Sequence, residues 1–130
     1  MIEIEQVREI VARASDDDEC AKEFTEAVDT GLSPLLPIGH LTANKALFIF
    51  KGRAQSARAA GVDVHGIDRT LTRLEGRAPE ETVLLSHWST ENRTFTAFIS
   101  DADKSFIGCV SLPRRFPDGD VDWSTGAAVR

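Results

Sequence analysis

A chain of 130 residues with 42% hydrophobic and 28% charged side chains has the composition of one ordinary globular domain, outside the disordered range. A globule of this length buries roughly two-thirds of its unfolded surface, so it needs no disulfide or metal staple. The longest apolar run, Ala46 to Phe50, falls far short of the roughly 20 residues of a membrane-spanning helix.

The net charge of −6 is unevenly spread. Residues 1–30 hold ten acidic and three basic side chains, residues 31–77 three acidic and seven basic, and residues 78–130 eight acidic and five basic. An acidic first third therefore precedes a basic middle, and the two can neutralise each other or face different partners. The opening Met1-Ile2-Glu3-Ile4-Glu5 lacks the basic stretch of a secretory signal. Cys20 and Cys109 stand 89 positions apart, outside any Cys-x-x-Cys pair, and read as reduced thiols packed as small hydrophobes. The expected location is the cytoplasm.

In chain order, Ile4, Val7, Ile10, Val11 and Ala14 recur at helical spacing and form one apolar stripe. Ser15-Asp16-Asp17-Asp18 interrupts it and offers oxygens to cap a second helix, on which Cys20, Phe24, Ala27 and Val28 share a face until Gly31. Residues 32–45 read as a long connector, because Pro34 and Pro37 disfavour helix at the residues before them. Ala46 to Phe50 reads as a short central strand covered on both faces. Two helices follow, an alanine-rich one from Arg53 to Ala60 and one marked by Ile67, Leu71 and Leu74 that ends at Gly76.

The last third changes period. Thr82 to Trp88, Thr94 to Ile99 and Ser105 to Leu112 read as three strands of an antiparallel meander, with turns at Glu91-Asn92 and Asp101 to Lys104. The expected fold class is thus α+β in the order α-α-β-α-α-β-β-β, with the helices on one face of the sheet. Residues 1–113 form the domain, and residues 114–130 an extended tail that Phe116 and Trp123 can anchor.

The motifs of common chemistries are missing from the sequence. It has no phosphate-cradling glycine loop, no dinucleotide fingerprint, no nucleophile elbow and no zinc-binding histidine pair. His40 and His65 lie in loops and read as structural. His87, beside Ser86, Trp88 and Ser89, also reads first as structural, and is the histidine that could act as a base if a nucleophile and a carboxylate came within reach. Asp118, Asp120 and Asp122 alternate as in a calcium loop, but the glycine and the closing glutamate are misplaced, so no metal or other cofactor is expected. Arg69, Arg73 and Arg77 recur every four residues and form a candidate anion-binding set, though solvation or pairing with the acidic helices is the favoured account of them. Nucleic acid is not an expected partner, since the sequence pI is about 5.0.

The expected function is that of a non-enzymatic module that neutralises another protein by occlusion, as a small acidic immunity protein does to a basic toxin or effector. Its contacts would be Asp16, Asp17, Asp18, Glu19, Glu23 and Glu26, with Asp118, Asp120, Asp122 and Trp123 in the tail. The alternatives are an escort for a secreted protein, which would be a homodimer rather than a monomer, and a small-ligand sensor or enzyme using His87.

Overall fold

The first two elements form where the apolar spacing places them. Helix α1 (Ile4–Ala14) buries Val7, Ile10 and Val11, and helix α2 (Glu19–Thr30) buries Cys20, Ala21 and Phe24. Asp18 caps α2, its Oδ1 accepting from the Ala21 N–H at 3.0 Å. The structure, a computed structural model, describes residues 4–30, 36–90, 93–113, 120–122 and 127–129. The expected turn at Glu91-Asn92 and the expected stop at Gly31 fall outside them.

The next segment departs from the sequence reading. Strand β1 (Leu36–Thr42) occupies the expected connector, and Ala46 to Phe50 lies inside helix α3 (Ala43–Ala59). Proline is tolerated in β1 because this strand is the sheet edge, and the register shifts between Pro37 and Gly39. Helix α3 starts directly from that strand, with the Thr42 side chain accepting from the Lys45 N–H at 3.1 Å. Ala43, Ala46, Phe50, Ala54 and Ala57 are buried at helical spacing, whereas Phe48 is 79% exposed. A strand covered on both faces would have buried all five residues of the run; the helix buries only one side of it. After Ala60 the Val62 N–H bonds the Ala57 carbonyl at 2.9 Å and the Gly61 N–H the Arg58 carbonyl at 3.1 Å, a Schellman ending.

Helix α4 (Ile67–Glu75) precedes the meander β2 (Thr82–Ser89), β3 (Arg93–Ser100) and β4 (Phe106–Pro113). With β1 these strands form one four-stranded antiparallel sheet in the order β1-β2-β3-β4. The α+β class and the element order agree with the sequence reading, while the sheet has one strand more than the meander alone. The layering differs from it. Leu84, Trp88, Phe95, Ala97, Ile99 and Cys109 pack with α1 and α2, and alternate residues, among them Val83, Leu85, Phe98, Val110 and Leu112, pack with α3 and α4. The helices therefore cover both faces of the sheet. The physical reason is visible along β3, where Phe95 to Ser100 are all buried and neither face is left for solvent.

Two glycines let α4 approach β4. A Cβ on Gly108 would stand 2.4 Å from Thr70 Oγ1, and one on Gly66 would stand 2.1 Å from the Cys109 carbonyl oxygen. Gly66 also has φ of 78°, a left-handed conformation that side chains disfavour. The outer edge of β4 is thereby sealed. The Ser111 carbonyl accepts from the His65 N–H, that of Cys109 from Thr70 Oγ1, and that of Ile107 from Arg73 Nη1. In the segment expected as an extended tail, β5 (Asp120–Asp122) and β6 (Ala127–Val129) pair antiparallel, with Val121 opposite Ala128.

The helical assignment of residues 46–50 predicts a contrast in stability. Phe50→Ala removes a fully buried ring set edge-on to Phe98 at 4.6 Å, and Phe24→Ala one set edge-on to Phe95 at 5.9 Å. Each should cost about 3–5 kcal/mol in chemical denaturation, against less than about 0.5 kcal/mol for Phe48→Ala. A loss at Phe48 as large as that at Phe50 would contradict the helix.

Candidate functional site

Where α2 and α4 begin, side by side along the β4 edge, they enclose a cleft of about 600 Å³. Asp18, Glu19, Cys20 and Glu23 supply one wall from the start of α2. Val64, His65 and Gly66 supply the back, Ile67, Asp68 and Arg69 the other wall, and Arg58 reaches in from the end of α3. The acidic first third and the basic middle of the chain thus meet here.

Most of the charge at this meeting point is already paired. Asp18 is 4% exposed and holds Arg73 Nη1 on its Oδ2 at 2.9 Å. The same guanidinium nitrogen reaches the Ile107 carbonyl at 3.2 Å, and Arg73 lies over the Phe106 ring at 5.7 Å. Arg69 donates to the Asp17 carbonyl, and Arg58 pairs with Asp68. Arg77, just beyond α4, holds Glu81 with Nη2 to Oε1 at 2.7 Å and approaches Asp103 at 3.9 Å. The three arginines expected to bind an anion are therefore each held by oxygens of the chain itself, and Arg77 points to a different group from the other two. Their four-residue spacing serves to fasten α4 to its neighbours.

His65 lies at the back of the cleft between two carboxylates, with Nδ1 2.9 Å from Glu23 Oε2 and Nε2 2.7 Å from Asp63 Oδ2. Each ring nitrogen is thus engaged by a carboxylate of the chain itself. Arg93 clamps the same loop, with Nε donating to Ser111 Oγ at 2.8 Å and Nη2 to the Asp63 carbonyl at 3.0 Å. His87 is elsewhere, on β2 opposite Thr96, with Nε2 3.1 Å from Ser89 Oγ. It is not among the residues that wall the cleft. His40 is exposed on β1, opposite Leu84.

The expected partner contacts divide by exposure. Asp16, Asp17, Glu19 and Glu26 are exposed, Glu23 is half-buried against His65, and Asp18 is buried inside its pairings. No described residue pairs with the carboxylates of Asp16, Asp17 or Glu19; Glu19 lines the cleft, and Asp16 and Asp17 precede it in the α1–α2 turn. Asp120 and Asp122 lie on β5, while Asp118 and Trp123 fall outside the described residues.

The sequence reading missed the meeting of Cys20 and Cys109, whose sulfurs are 3.0 Å apart although 89 residues separate them. Both are free thiols, and both are buried. Burial pushes the Cys109 thiol well above its ordinary range, and the contact with Cys20 and the charges of Asp18 and Glu23 act in the same direction.

Among the described residues no group of three histidine, cysteine or acidic side chains is placed to hold a metal, and no helix is long and apolar enough to cross a membrane. Set against families of known proteins, curated proteins and solved structures, the chain matches none.

Two stability measurements check these pairings. Asp18→Ala removes the α2 cap and leaves Arg73 half-satisfied, and should cost roughly 2–4 kcal/mol in chemical denaturation, Arg73 being partly solvated. The Arg77 hydrogen bond holds the Glu81 carboxyl below its ordinary value. Its contribution is accordingly present at neutral pH and lost as pH falls through the lowered value. Denaturation midpoints followed against pH should show Glu81→Gln less stable than the parent at pH 7, with the gap closing in acid. A gap that does not narrow as pH falls would contradict the ionic pairing.

Proposed function

We propose that the chain is a non-enzymatic protein-binding module that docks a basic partner through the acidic α1–α2 turn and the cleft beside it, blocking that partner by occlusion as an immunity protein does. The observation that carries this reading is the α1–α2 turn. Asp16, Asp17 and Glu19 present exposed carboxylates without a partner among the described residues, while Arg58, Arg69 and Arg73 nearby are each held by the chain's own oxygens. The α1–α2 turn thus offers an incoming arginine or lysine three exposed carboxylates, one of which, Glu19, stands in the wall of the cleft. A row of like charge on one rim also speeds encounter with an oppositely charged surface.

His65 has both nitrogens engaged by carboxylates of the chain, which supports a role as a structural junction at the back of the docking cleft. The preformed cleft favours insertion of a folded partner's side chain, since Asp18 and Gly66 hold its walls before anything binds.

The test is capture from the native host with a tagged chain at low salt. The expected result is one stoichiometric protein, released as salt rises. The triple variant D16K/D17K/E19K should lose it while melting within a few degrees of the parent. Retention by the triple variant would refute the assigned surface, and capture of nothing at any salt would refute the docking role.

A further inference from the structure

The cleft contains one feature that docking does not use. Cys20 projects from the first turn of α2 and is among the residues that line the cleft, whereas Cys109 projects from the middle of β4 and is not. Their sulfurs are 3.0 Å apart, inside van der Waals contact and about 1 Å beyond a covalent S–S bond. Both side chains come from regular elements held together by neighbouring contacts. Gly66 fits against the Cys109 carbonyl and the Cys20 Cβ, and the Asp18 cap fixes the turn that carries Cys20. The chain has no other cysteine, so each thiol has the other as its sole intramolecular partner.

We propose that Cys20 and Cys109 are a peroxide-oxidisable pair that closes to an intramolecular disulfide, with Cys20 the thiol attacked first and Cys109 the resolving thiol. In the first step the Cys20 sulfur attacks the outer oxygen of a hydroperoxide. The O–O bond breaks, the alcohol or water leaves with a proton, and Cys20 becomes a sulfenic acid. In the second step the Cys109 sulfur attacks the Cys20 sulfur, the S–OH bond breaks, and water leaves with the Cys109 proton. The two thiols together give up the two electrons that reduce the peroxide. A small oxidant is required because Cys20 is only 2% exposed even at the cleft wall. The order follows from access, since Cys109 is fully buried and meets the cleft only through Cys20. Burial, with the Cys20 contact and the charges of Asp18 and Glu23 acting in the same direction, raises the Cys109 thiol and slows the closure. Once formed, the bond would tie the first turn of α2, and with it the Glu19 lip, to β4. This chemistry does not depend on the docking reading.

The experiment treats the reduced full-length chain with hydrogen peroxide, unfolds it in iodoacetamide, and maps tryptic peptides without reductant. The expected product is a monomer in which both thiols resist alkylation together and peptide 14–22 is joined to peptide 105–114 until reductant is added. In Cys20→Ser, Cys109 should remain alkylatable after the same exposure, and in Cys109→Ser, Cys20 should be oxidised without a cross-link. Thiols that both stay alkylatable in the parent, or that are lost without the joined peptide, would overturn the pair. Oxidation of Cys109 in Cys20→Ser at the parent's rate would overturn the assigned order. None of these readouts involves a partner protein, so they are independent of the capture experiment.

Discussion

One carboxylate joins the two halves of this molecule. Asp18 gives its Oδ1 to the first turn of α2 and its Oδ2 to Arg73 of α4, and it does so while almost wholly shielded from water. A buried carboxylate is costly unless both its oxygens are satisfied, and here one accepts from a guanidinium and the other from the first turn of a helix. The same contact brings Arg73 onto the Ile107 carbonyl, so the bond that starts α2 also covers the open edge of β4. The cleft, its acidic lip and the cysteine contact all depend on this junction, because it fixes how far apart α2 and α4 begin.

The sheet then separates the charges. Helices α1 and α2, with the acidic turn between them, cover one face, and α3 and α4, drawn from the basic middle of the chain, cover the other. The acidic and basic segments meet along the β4 side through Asp18, the Asp17 carbonyl and Glu23. Acids beyond reach of that seam remain at the surface, and they form the proposed docking rim. Packing thus decides which acids are internal fasteners and which are available. Asp17 illustrates the division within a single residue, since its carbonyl is held by Arg69 while its side chain is exposed.

The individual site residues show how spacing alone misleads. Four-residue periodicity put Arg69 and Arg73 on one side of a helix, but that side faces the chain's own oxygens. The Nη1 of Arg73 is already taken by the buried Asp18 carboxylate and the Ile107 carbonyl at the strand edge. His65, by contrast, has an ordinary loop setting in sequence and becomes a junction residue because Glu23 arrives from 42 positions away. Nothing local signals that meeting. Exposed Phe48 follows the same logic, as an apolar run reads as buried until the element that carries it is known to be a helix.

The sequence by itself determined the α+β class, the element order, the first helix pair, the meander strands and the acidic capping turn. Those features follow from local periodicity and from turn and capping chemistry, which act over a few residues. It did not determine that residues 36–42 pair as an edge strand, since strand pairing needs a neighbour and Pro37 argued against one in isolation. Nor did it determine that the helices would cover both faces of the sheet or that Ala46 to Phe50 would continue into the alanine-rich helix. Only the tertiary structure decided which carboxylates are spent, that His65 is clamped and that Cys20 touches Cys109. The reason is the same in each case: the free energy of those contacts comes from groups far apart along the chain, brought together by burial of a sheet that no single segment encodes.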